Sequence, residues 1–442
     1  GARVVVTGCY AAAQPDEVLS IDGVDLVVPN KDKDRLADAV AERYGNAESA
    51  HSGGMCGRSD GGYSSATSLR LRPRSALMEA ERKARARTVL SVGLVQPEPS
   101  YACMESLATA SHRGIDSGPE TFSSREPRRT LKVQTGCDEL CSFCIVPSTR
   151  GGLQSRPYET VLELAQKMVR RGAVEITLSG VHLGKYGVDI GYKDGLYGLV
   201  CRLLDALPSH VRLRLSSIEA TCLDMRLVGL MNWDKRLCRH LHIPLQSGDD
   251  EVLSAMRRPY DSARYLRIVD AAREKVDGLA LTTDVMVGFP GETAAALWNT
   301  YRLIERVGFA KLHVFRYSPR EGTPAASFDA QVSEDEKKSR SKLIRELGDE
   351  LRRKFFEREV SRGILSGVLI EGSGVLDDDP ANSSAARSKL FGITDNYIKV
   401  VALGSADKVG EYVDVIPTGW DAEKVEGELT PVALDGKMAS CT

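Results

Sequence analysis

The sequence predicts an α/β protein built around a partial (βα)6 barrel, preceded by part of an α/β domain and followed by a small all-β barrel. Three observations lead to this fold class. From residue 131 to 317, six β-rich segments alternate with helical ones, as in parallel βαβ units. The first 45 residues alternate in the same way but are too few to close a core. After residue 363 only β-rich runs remain, separated by Gly and Asp clusters.

The six central strands are rich in Val, Ile and Leu, which suits a parallel sheet covered by helices. They are predicted at Leu131–Gln134, Val174–Leu178, Val211–Leu215, His240–Pro244, Leu279–Val287 and Lys311–Tyr317. Helical periodicity separates them over Tyr158–Arg171, Leu196–Leu207, Asp250–Met256, Ser262–Lys275 and Thr293–Val307. Six units are fewer than the eight of a closed barrel, so we expect a partial one.

The flanking elements follow from the same periodicities. At the start we expect a strand at 4–6, a turn at 8–10, a helix at 15–19, a strand at 24–28 and a helix at 31–44. Ser333 to Arg362 reads as one long charged helix with a single apolar face. The tail is predicted to contain strands at 364–371, 390–403, 411–416 and 429–434.

These elements predict the domain organisation. The bounds are 1–45 for the N-terminal α/β part, 46–125 for a linker or insertion, 126–360 for the barrel with its long helix, 361–434 for the small β-barrel, and 435–442 for a tail. The linker is rich in Gly, Ser, Ala and Arg without a sustained period, so we expect it to be mostly disordered, with one short basic helix. A spacer is favoured over an arm for an anionic partner, because no aromatic residues are interleaved with its arginines.

Composition excludes several classes of protein. With 59 basic and 61 acidic residues the formal net charge is −2, so no global positive field argues for nucleic acid. No apolar run reaches about 18 residues, and we expect no membrane partner. Seven of the ten cysteines are scattered and three lie within eight residues. That distribution predicts a metal site in a reducing compartment, the cytoplasm, rather than a disulfide framework.

The cysteine triplet is the strongest chemical signal. Cys137, Cys141 and Cys144 follow the first central strand and the Thr135-Gly136 turn. Thiolates suit iron–sulfur clusters, and three ligands on a four-iron cluster leave one iron open for chemistry. Zinc is an alternative, although no fourth Cys and no His lies nearby in sequence. Coincidental core cysteines are a second alternative.

The motif Cys-x3-Cys-x2-Cys, with Phe143 before the last cysteine, resembles the radical S-adenosylmethionine (SAM) enzymes. Segments 134–137, 145–151, 178–187, 214–219, 242–248, 284–292 and 317–325 are similar to the methylthiotransferase branch of those enzymes. Within it, the chain most resembles the bacterial type that modifies N6-threonylcarbamoyladenosine at position 37 of tRNA. The resemblance covers residues 1–45 and 126–430.

The resemblance implies a 4Fe-4S cluster on Cys137, Cys141 and Cys144 that binds the amino and carboxylate groups of SAM. Reductive cleavage of SAM would give a 5′-deoxyadenosyl radical, which removes a hydrogen from C2 of the adenine. The implied SAM contacts lie at strand carboxyl ends: Ser179, Gly180, Ser217, Glu219, Gln246 and Gly288. Structural roles compete with this reading, because the glycines could serve turns and Glu219 could cap a helix or form a surface pair.

The family also carries a second 4Fe-4S cluster on three cysteines of a flavodoxin-like N-terminal domain, linked to sulfur supply. Cys9, in Thr7-Gly8-Cys9-Tyr10, resembles the third of these ligands, and the first two would lie upstream of residue 1. We expect the sequence to be a fragment rather than a protein that lost this site. The 442-residue chain by itself is then expected to cleave SAM without completing sulfur insertion.

The tail resembles the TRAM domain, a small RNA-contacting barrel, through the hairpin at 392–400. Residues 364–442 hold six basic and thirteen acidic residues, so tRNA docking should use a shared surface. The candidates are Arg150, Arg156 and the stretch Lys337 to Arg345, with His182, Lys185 and Tyr186 as candidates for reaching the base. Further expected partners are an electron donor such as flavodoxin or ferredoxin and a sulfur source.

Two other functions stay open at this point. The first is a methylthiotransferase that acts on a ribosomal protein side chain, since it shares both cluster motifs and the barrel. Two segments favour the tRNA-modifying type over this alternative: Ser179-Gly180-Val181-His182 and Ser217-Ile218-Glu219-Ala220. The second is a non-catalytic iron–sulfur fragment, against which the intact cysteine triplet argues.

Overall fold

The computed structural model describes residues 4–29, 36, 40, 70–71, 126–374, 388–421 and 423–430. At the start, strand β1 (Val4–Gly8) pairs in parallel with β2 (Val24–Pro29), and helices α1 (Cys9–Ala13) and α2 (Pro15–Ser20) connect them. The strands predicted at 4–6 and 24–28 and the helix predicted at 15–19 are confirmed. The turn predicted at 8–10 is wrong beyond Gly8, because that glycine alone makes the turn with φ +131° and the helix begins at Cys9.

A short strand, β3 (Arg70–Leu71), pairs antiparallel with β2. It falls within the stretch predicted to be a linker with a basic helix, and at these two residues the chain is instead a strand of the N-terminal sheet. The other linker residues lie outside the described residues. So does most of the helix predicted at 31–44, of which Leu36 and Val40 are helical.

The central strands form two curved sheets that together make the partial barrel. Their bounds are β4 (Arg128–Thr135), β5 (Gln154–Ser155), β6 (Glu175–Gly180), β7 (Arg212–Leu215), β8 (His240–His242), β9 (Ala280–Val287) and β10 (Lys311–Arg316). The orders are β5-β4-β6-β7 and β10-β9-β8, parallel throughout except for β5. A parallel bridge from Leu213 to Leu237 joins the sheets. All six predicted strands are therefore confirmed, and β10 stands at one edge.

Helices cover the outer face of this barrel: α3 (Val146–Arg150), α4 (Tyr158–Arg170), α5 (Gly195–Ala206), α6 (Met225–Trp233), α7 (Asp250–Ala255), α8 (Ser262–Lys275) and α9 (Ala294–Val307). The five predicted helices are present within a residue or two of their expected ends. Helices α3 and α6 were missed. The Asp224 side chain caps α6 and three of its residues are buried, but Gly229 and the exposed Trp233 obscure its apolar face in the sequence.

Helix α10 (Glu334–Val360) is the predicted long helix, and Ser333 caps its start by accepting from Glu336 N–H. It packs along β10 and α9. Near its end, Phe355 and Phe356 enter a second core that it shares with the C-terminal strands. This helix therefore connects the partial barrel to the small barrel that follows.

The C-terminal strands close into a five-stranded barrel, as predicted. They are β11 (Leu365–Gly374), β12 (Ser388–Ile393), β13 (Lys399–Gly404), β14 (Tyr412–Trp420) and β15 (Val425–Leu429), in the order β11-β12-β13-β15-β14. The run predicted at 390–403 is a hairpin of two strands. The prediction of the last strand at 429–434 is wrong. In the structure Val425 and Gly427 face inward while Glu426 and Glu428 are exposed. The two charged residues make the alternation of inward and outward positions hard to detect in the sequence.

The small barrel covers the amino-terminal end of the central strands. Glu175 lies there, fully buried, and accepts hydrogen bonds from Arg212 and Arg214 at 2.7 Å each. The two arginines also donate to backbone carbonyls of the small barrel, at Gly367 (2.6 Å) and Thr394 (2.9 Å). This buried charge network leaves the opposite, carboxyl-terminal end of the strands for the site. No helix in the described ranges has the length and apolarity needed to cross a membrane.

Candidate functional site

The three clustered cysteines lie on a loop between β4 and α3, at the carboxyl end of the barrel. Gly136 enters this loop with φ +73°, and a Cβ atom there would lie 1.8 Å from the carbonyl oxygen of Gly152. Cys137 N–H donates to the carbonyl of Gly151 at 3.0 Å. The loop therefore closes on its own far end, and only glycine fits at position 136.

Replacing Gly136 by alanine should therefore displace the cysteine loop. The new Cβ meets backbone, which cannot rotate away, so we expect a stability loss of about 1–3 kcal/mol and poor retention of iron. Gly152→Ala is the matched control, because nothing lies within 4 Å of its Cβ position. Thermal unfolding and iron content after anaerobic reconstitution measure both effects. Equal behaviour of the two variants would contradict the close approach.

The middle of the cysteine loop is hydrogen-bonded to the end of helix α7, which follows strand β8 of the second sheet. The buried Ser142 donates from its backbone to the Met256 carbonyl (3.1 Å) and from its hydroxyl to the Ala255 carbonyl (2.7 Å). Phe143 packs edge-on against Phe289, with ring centroids 6.5 Å apart. The apolar residue before the third cysteine is thus an anchor that holds the loop in place.

The cysteine sulfurs receive hydrogen bonds suited to thiolate ligands. Glu139 N–H lies 3.4 Å from the Cys137 sulfur and Val146 N–H lies 3.5 Å from the Cys144 sulfur. Burial, with the neighbouring cysteines, raises the pKa of Cys137 to about 11, and burial also raises the pKa of Cys141. Free thiols are thus the stable form without metal, whereas a bound metal would hold them as thiolates. Three sulfur donors with N–H contacts fit an iron–sulfur cluster.

Sequence reasoning missed Arg258, which reaches the cysteines from the segment after α7. It donates to the Cys141 sulfur at 3.1 Å and forms a buried ion pair with Glu219. Glu219 therefore forms neither a helix cap nor a surface pair, and its Oε1 is buried without a hydrogen-bond partner among the described residues. The free carboxylate oxygen and the cation lie beside the sulfurs, an arrangement suited to a zwitterionic ligand.

A second network connects strands β4 and β6 beneath the loop. The buried Gln134 donates to the Gly136 carbonyl (2.8 Å) and accepts from His182 N–H (2.8 Å). A Cβ on Gly180 would approach the Gln134 side chain to 3.0 Å, so this glycine packs closely against Gln134. Lys185 binds Asp138 at 2.8 Å. The loop is thereby held against the end of β6.

The structure corrects one point about zinc. No histidine is near the cysteines in sequence, but His182 is near them in space. Ligand atoms of Cys137, Asp138 and His182 lie within 4.8 Å of one another. Both ring nitrogens of the buried His182 are without hydrogen-bond partners among the described residues, and burial lowers its pKa. Geometry alone therefore does not discriminate against zinc, and the discrimination comes from the family described below.

The other predicted contacts lie at the same end of the barrel. Ser179 is near the end of β6 and Ser217 follows β7. Gln246 has φ +63°, unusual for a residue with a side chain, and its backbone bridges to β9. Gly288 has φ +72°, and a Cβ there would lie 2.3 Å from Lys337, so it allows α10 to approach. Because the carboxyl ends of parallel strands share one edge, these residues lie at the same edge of the barrel as the cysteine loop.

Two predicted residues have other positions. Cys9 begins α1, which packs beside α3, and its side chain lies outside what the structure describes. Tyr186 was a candidate for reaching the base, but it is buried and its hydroxyl donates to the Arg156 carbonyl at 2.8 Å. Tyr186 is therefore a packing residue.

The inner face of the second sheet is polar. His242 Nδ1 lies 2.9 Å from the Thr282 hydroxyl, and its Nε2 lies 3.3 Å from Asp284. His313, on β10, is 5.5 Å from His242 between ring centroids, and burial lowers its pKa to about 4. This face of the second sheet thus presents two imidazoles, a hydroxyl and a carboxyl group.

Comparison with known proteins agrees with this geometry. Residues 131–304 match the model of the radical SAM superfamily. A radical S-adenosylmethionine methyltransferase, TsrM from Kitasatospora setae, solved with cobalamin and a 4Fe-4S cluster, shares the fold with a TM-score of 0.50 and 15% identity, over 74% of this chain and 59% of that one. Fold and site therefore define a radical SAM enzyme, a class that implies a 4Fe-4S cluster and SAM.

Curated relatives narrow the class. The chain is 32% identical over 416 residues to the threonylcarbamoyladenosine tRNA methylthiotransferase MtaB of Bacillus subtilis, covering 93% of this chain and 77% of that protein. It is 35% identical over 311 residues to the tRNA-2-methylthio-N(6)-dimethylallyladenosine synthase of Symbiobacterium thermophilum, covering 69% and 64%. The chain belongs to the radical SAM methylthiotransferase family, and its type is that of MtaB.

Proposed function

We propose that this protein adds a methylthio group to C2 of N6-threonylcarbamoyladenosine at position 37 of tRNA. The observation that carries the proposal is the 32% identity to the B. subtilis enzyme of that name, which extends over 93% of this chain. A relative in Thermotoga maritima with the same name is 31% identical over 379 residues. The methylthiotransferase for a ribosomal protein and the non-catalytic fragment have no comparable support.

The cluster would be held by Cys137, Cys141 and Cys144. When bound, the cluster and SAM supply the reductive cleavage that starts hydrogen removal from C2. This chain's own residues fix the loop, bring the Arg258 cation to the Cys141 sulfur and present the free Glu219 oxygen. Charged groups in such a buried site orient a polar cofactor strongly.

Around this centre we assign the cofactor contacts to Ser179, Gly180, Ser217, Glu219, Gln246 and Gly288. Their common position at the carboxyl ends of β6 to β9 supports the assignment. Cys9 is assigned to the second, sulfur-supplying cluster. tRNA, a low-potential electron donor and a sulfur source complete the proposed partners.

The proposal is tested with the anaerobically reconstituted chain, SAM and a reductant. We expect 5′-deoxyadenosine from SAM, and any C2-methylthio product that nucleoside mass spectrometry detects should arise only with tRNA bearing N6-threonylcarbamoyladenosine. Deoxyadenosine without this product would match a chain that cleaves SAM but lacks the sulfur-supplying cluster. Transfer instead to N6-dimethylallyladenosine tRNA, or to ribosomal protein, would overturn the assignment of substrate.

A further inference from the structure

A basic groove runs between the edge strand β10 and helix α10, outside the site described above. Two adjoining cavities of about 400 Å³ and 210 Å³ form it, and they share Val314, Arg345 and Asp349. We call this surface the β10–α10 groove. Its cations are Arg316, Lys338, Lys342, Arg345, Lys311 and Arg352, against the acidic Glu346 and Asp349.

The cations of the larger cavity are only loosely neutralised. Lys338 lies 3.9 Å from Asp335, and its side chain is 66% exposed. Lys342 lies 3.9 Å from Glu346 and is 78% exposed, and Arg316 lies 3.7 Å from Glu334. Exposed pairs at these distances contribute little, so the positive charge remains available to a partner.

Like charges meet in the smaller cavity. Burial lowers the pKa of Lys311, and the nearby Lys399 of the small barrel and Arg352 lower it further, against Glu423, which raises it. Arg352 is itself paired with Asp349 at 2.8 Å. Lys311 lies on β10, Arg352 on α10 and Lys399 on β13, so three elements bring positive charge to one place. An anion there would relieve their mutual repulsion.

The sequence placed the docking surface over Lys337 to Arg345, and the structure divides that stretch. Lys337 is buried and binds Glu334 at 2.8 Å, and Arg340 is buried in an ion pair with Glu292. These two hold the helix in place. Ser341, by contrast, lines the groove with a buried hydroxyl that has no hydrogen-bond partner among the described residues.

We infer that the β10–α10 groove binds the phosphodiester backbone of the substrate RNA. Phosphate oxygens match its lysines and arginines, and the unpartnered Ser341 hydroxyl can donate to them. Phe315 also lines the groove and supplies an aromatic surface for a base, which favours RNA over an acidic protein. The inference rests on the proposed function, because it assumes an RNA substrate.

The test compares two variants with the same change of charge on the same helix. Lys338→Glu with Lys342→Glu reverses two exposed groove cations, and Arg353→Glu with Lys354→Glu reverses two exposed cations outside the groove. Binding of a fluorescein-labelled unmodified tRNA transcript to the full chain is measured by anisotropy across a salt series. We expect the groove variant to bind at least about tenfold more weakly, with the slope of log K against log salt reduced by about 1.4–1.8.

The outcomes separate this inference from the proposed function. If wild type binds the transcript and the groove variant keeps the wild-type affinity and salt slope, the β10–α10 groove is not the RNA-binding surface. The proposed function is unaffected by that result. No binding of the transcript by wild type overturns the inference, and the product assay with tRNA bearing N6-threonylcarbamoyladenosine then decides the proposed function separately. Unchanged RNA binding with slower reduction by a flavodoxin overturns the inference in favour of an acidic protein partner. The Arg353/Lys354 variant should match wild type in every assay.

Discussion

Replacing Cys141 by alanine should remove iron from the protein almost completely. A 4Fe-4S cluster held by three cysteines has no spare protein ligand, so we expect iron to fall from about four atoms per cluster to near zero. The cluster's visible absorption and deoxyadenosine formation should disappear with it. Because Arg258 donates to this sulfur and pairs with Glu219, the change also leaves that cation without its thiolate partner.

The control for Cys141→Ala is Cys201→Ala. Both are free, half-buried cysteines, but Cys201 lies on α5, away from the loop. Its replacement should leave iron content and absorption unchanged, so that any loss at position 141 reports ligation rather than packing. Two results would contradict the cluster assignment: iron retained in Cys141→Ala, or zinc instead of iron in the anaerobically purified wild type.

The second large effect is expected at Glu175. Its carboxylate is the counter-charge of two arginines, Arg212 and Arg214, in a place without solvent. Glu175→Ala would leave both guanidinium groups buried with carbonyls as their remaining acceptors. Removing one partner of a buried ion pair costs about 3–5 kcal/mol, and we expect a loss of that size in the free energy of unfolding. Urea unfolding followed by circular dichroism measures it.

Asp194→Ala provides the comparison, since Asp194 pairs with Arg226 at 3.0 Å and both side chains are more than half exposed. The loss there should stay below about 1 kcal/mol. If Glu175→Ala were no more destabilising than Asp194→Ala, the buried charge network would not hold the two barrels together. If Glu175→Ala does not fold, Glu175→Gln is measured instead, because glutamine has nearly the same side-chain shape. A lower urea midpoint of unfolding for Glu175→Gln then reports the loss of the negative charge.

The same carboxylate predicts acid sensitivity. Burial by itself would raise the pKa of Glu175, but Arg214 and Arg212 outweigh burial and lower it to about 2, from an ordinary value of 4.5. The group therefore contributes its full stability above pH 4.5, and this contribution is lost as the pH falls towards 2. In Glu175→Gln the unfolding free energy should fall less over that interval. Parallel pH curves for the two proteins would contradict the low pKa.

Local patterns were enough to predict most of the fold and the cysteine loop. The central strands are short segments enriched in Val, Ile and Leu, and the triplet spans eight residues, so neither depends on distant contacts. Arg258 was missed because it lies 117 residues from Cys141 and only the closed barrel brings them together. His182 was considered for the base, but its proximity to Cys137 depends on the pairing of β4 with β6.

Failures in the tail and the linker have a different cause. Strand β15 has Glu at both exposed positions, so its two inward residues are too few to reveal a strand by composition. Strand β3 has two residues, fewer than any periodicity can detect. Gly288 is a separate case: it stays a predicted cofactor contact, and the structure adds a steric role that the sequence does not reveal, because Lys337, on a helix 49 positions later, occupies the space of its missing side chain.

The hydrogen bonds to the carbonyls of Gly367 and Thr394 determine how the C-terminal barrel can be exchanged between related proteins. These carbonyls complete the hydrogen bonding of Arg212 and Arg214. The small barrel therefore covers the amino-terminal end of the larger barrel and is coupled to it structurally. Cutting the gene after α10 would expose two cations that keep Glu175 but lose their carbonyl acceptors in the small barrel. Exchange of this terminal module between homologues should succeed only when donor and recipient carry matching hairpins and arginines.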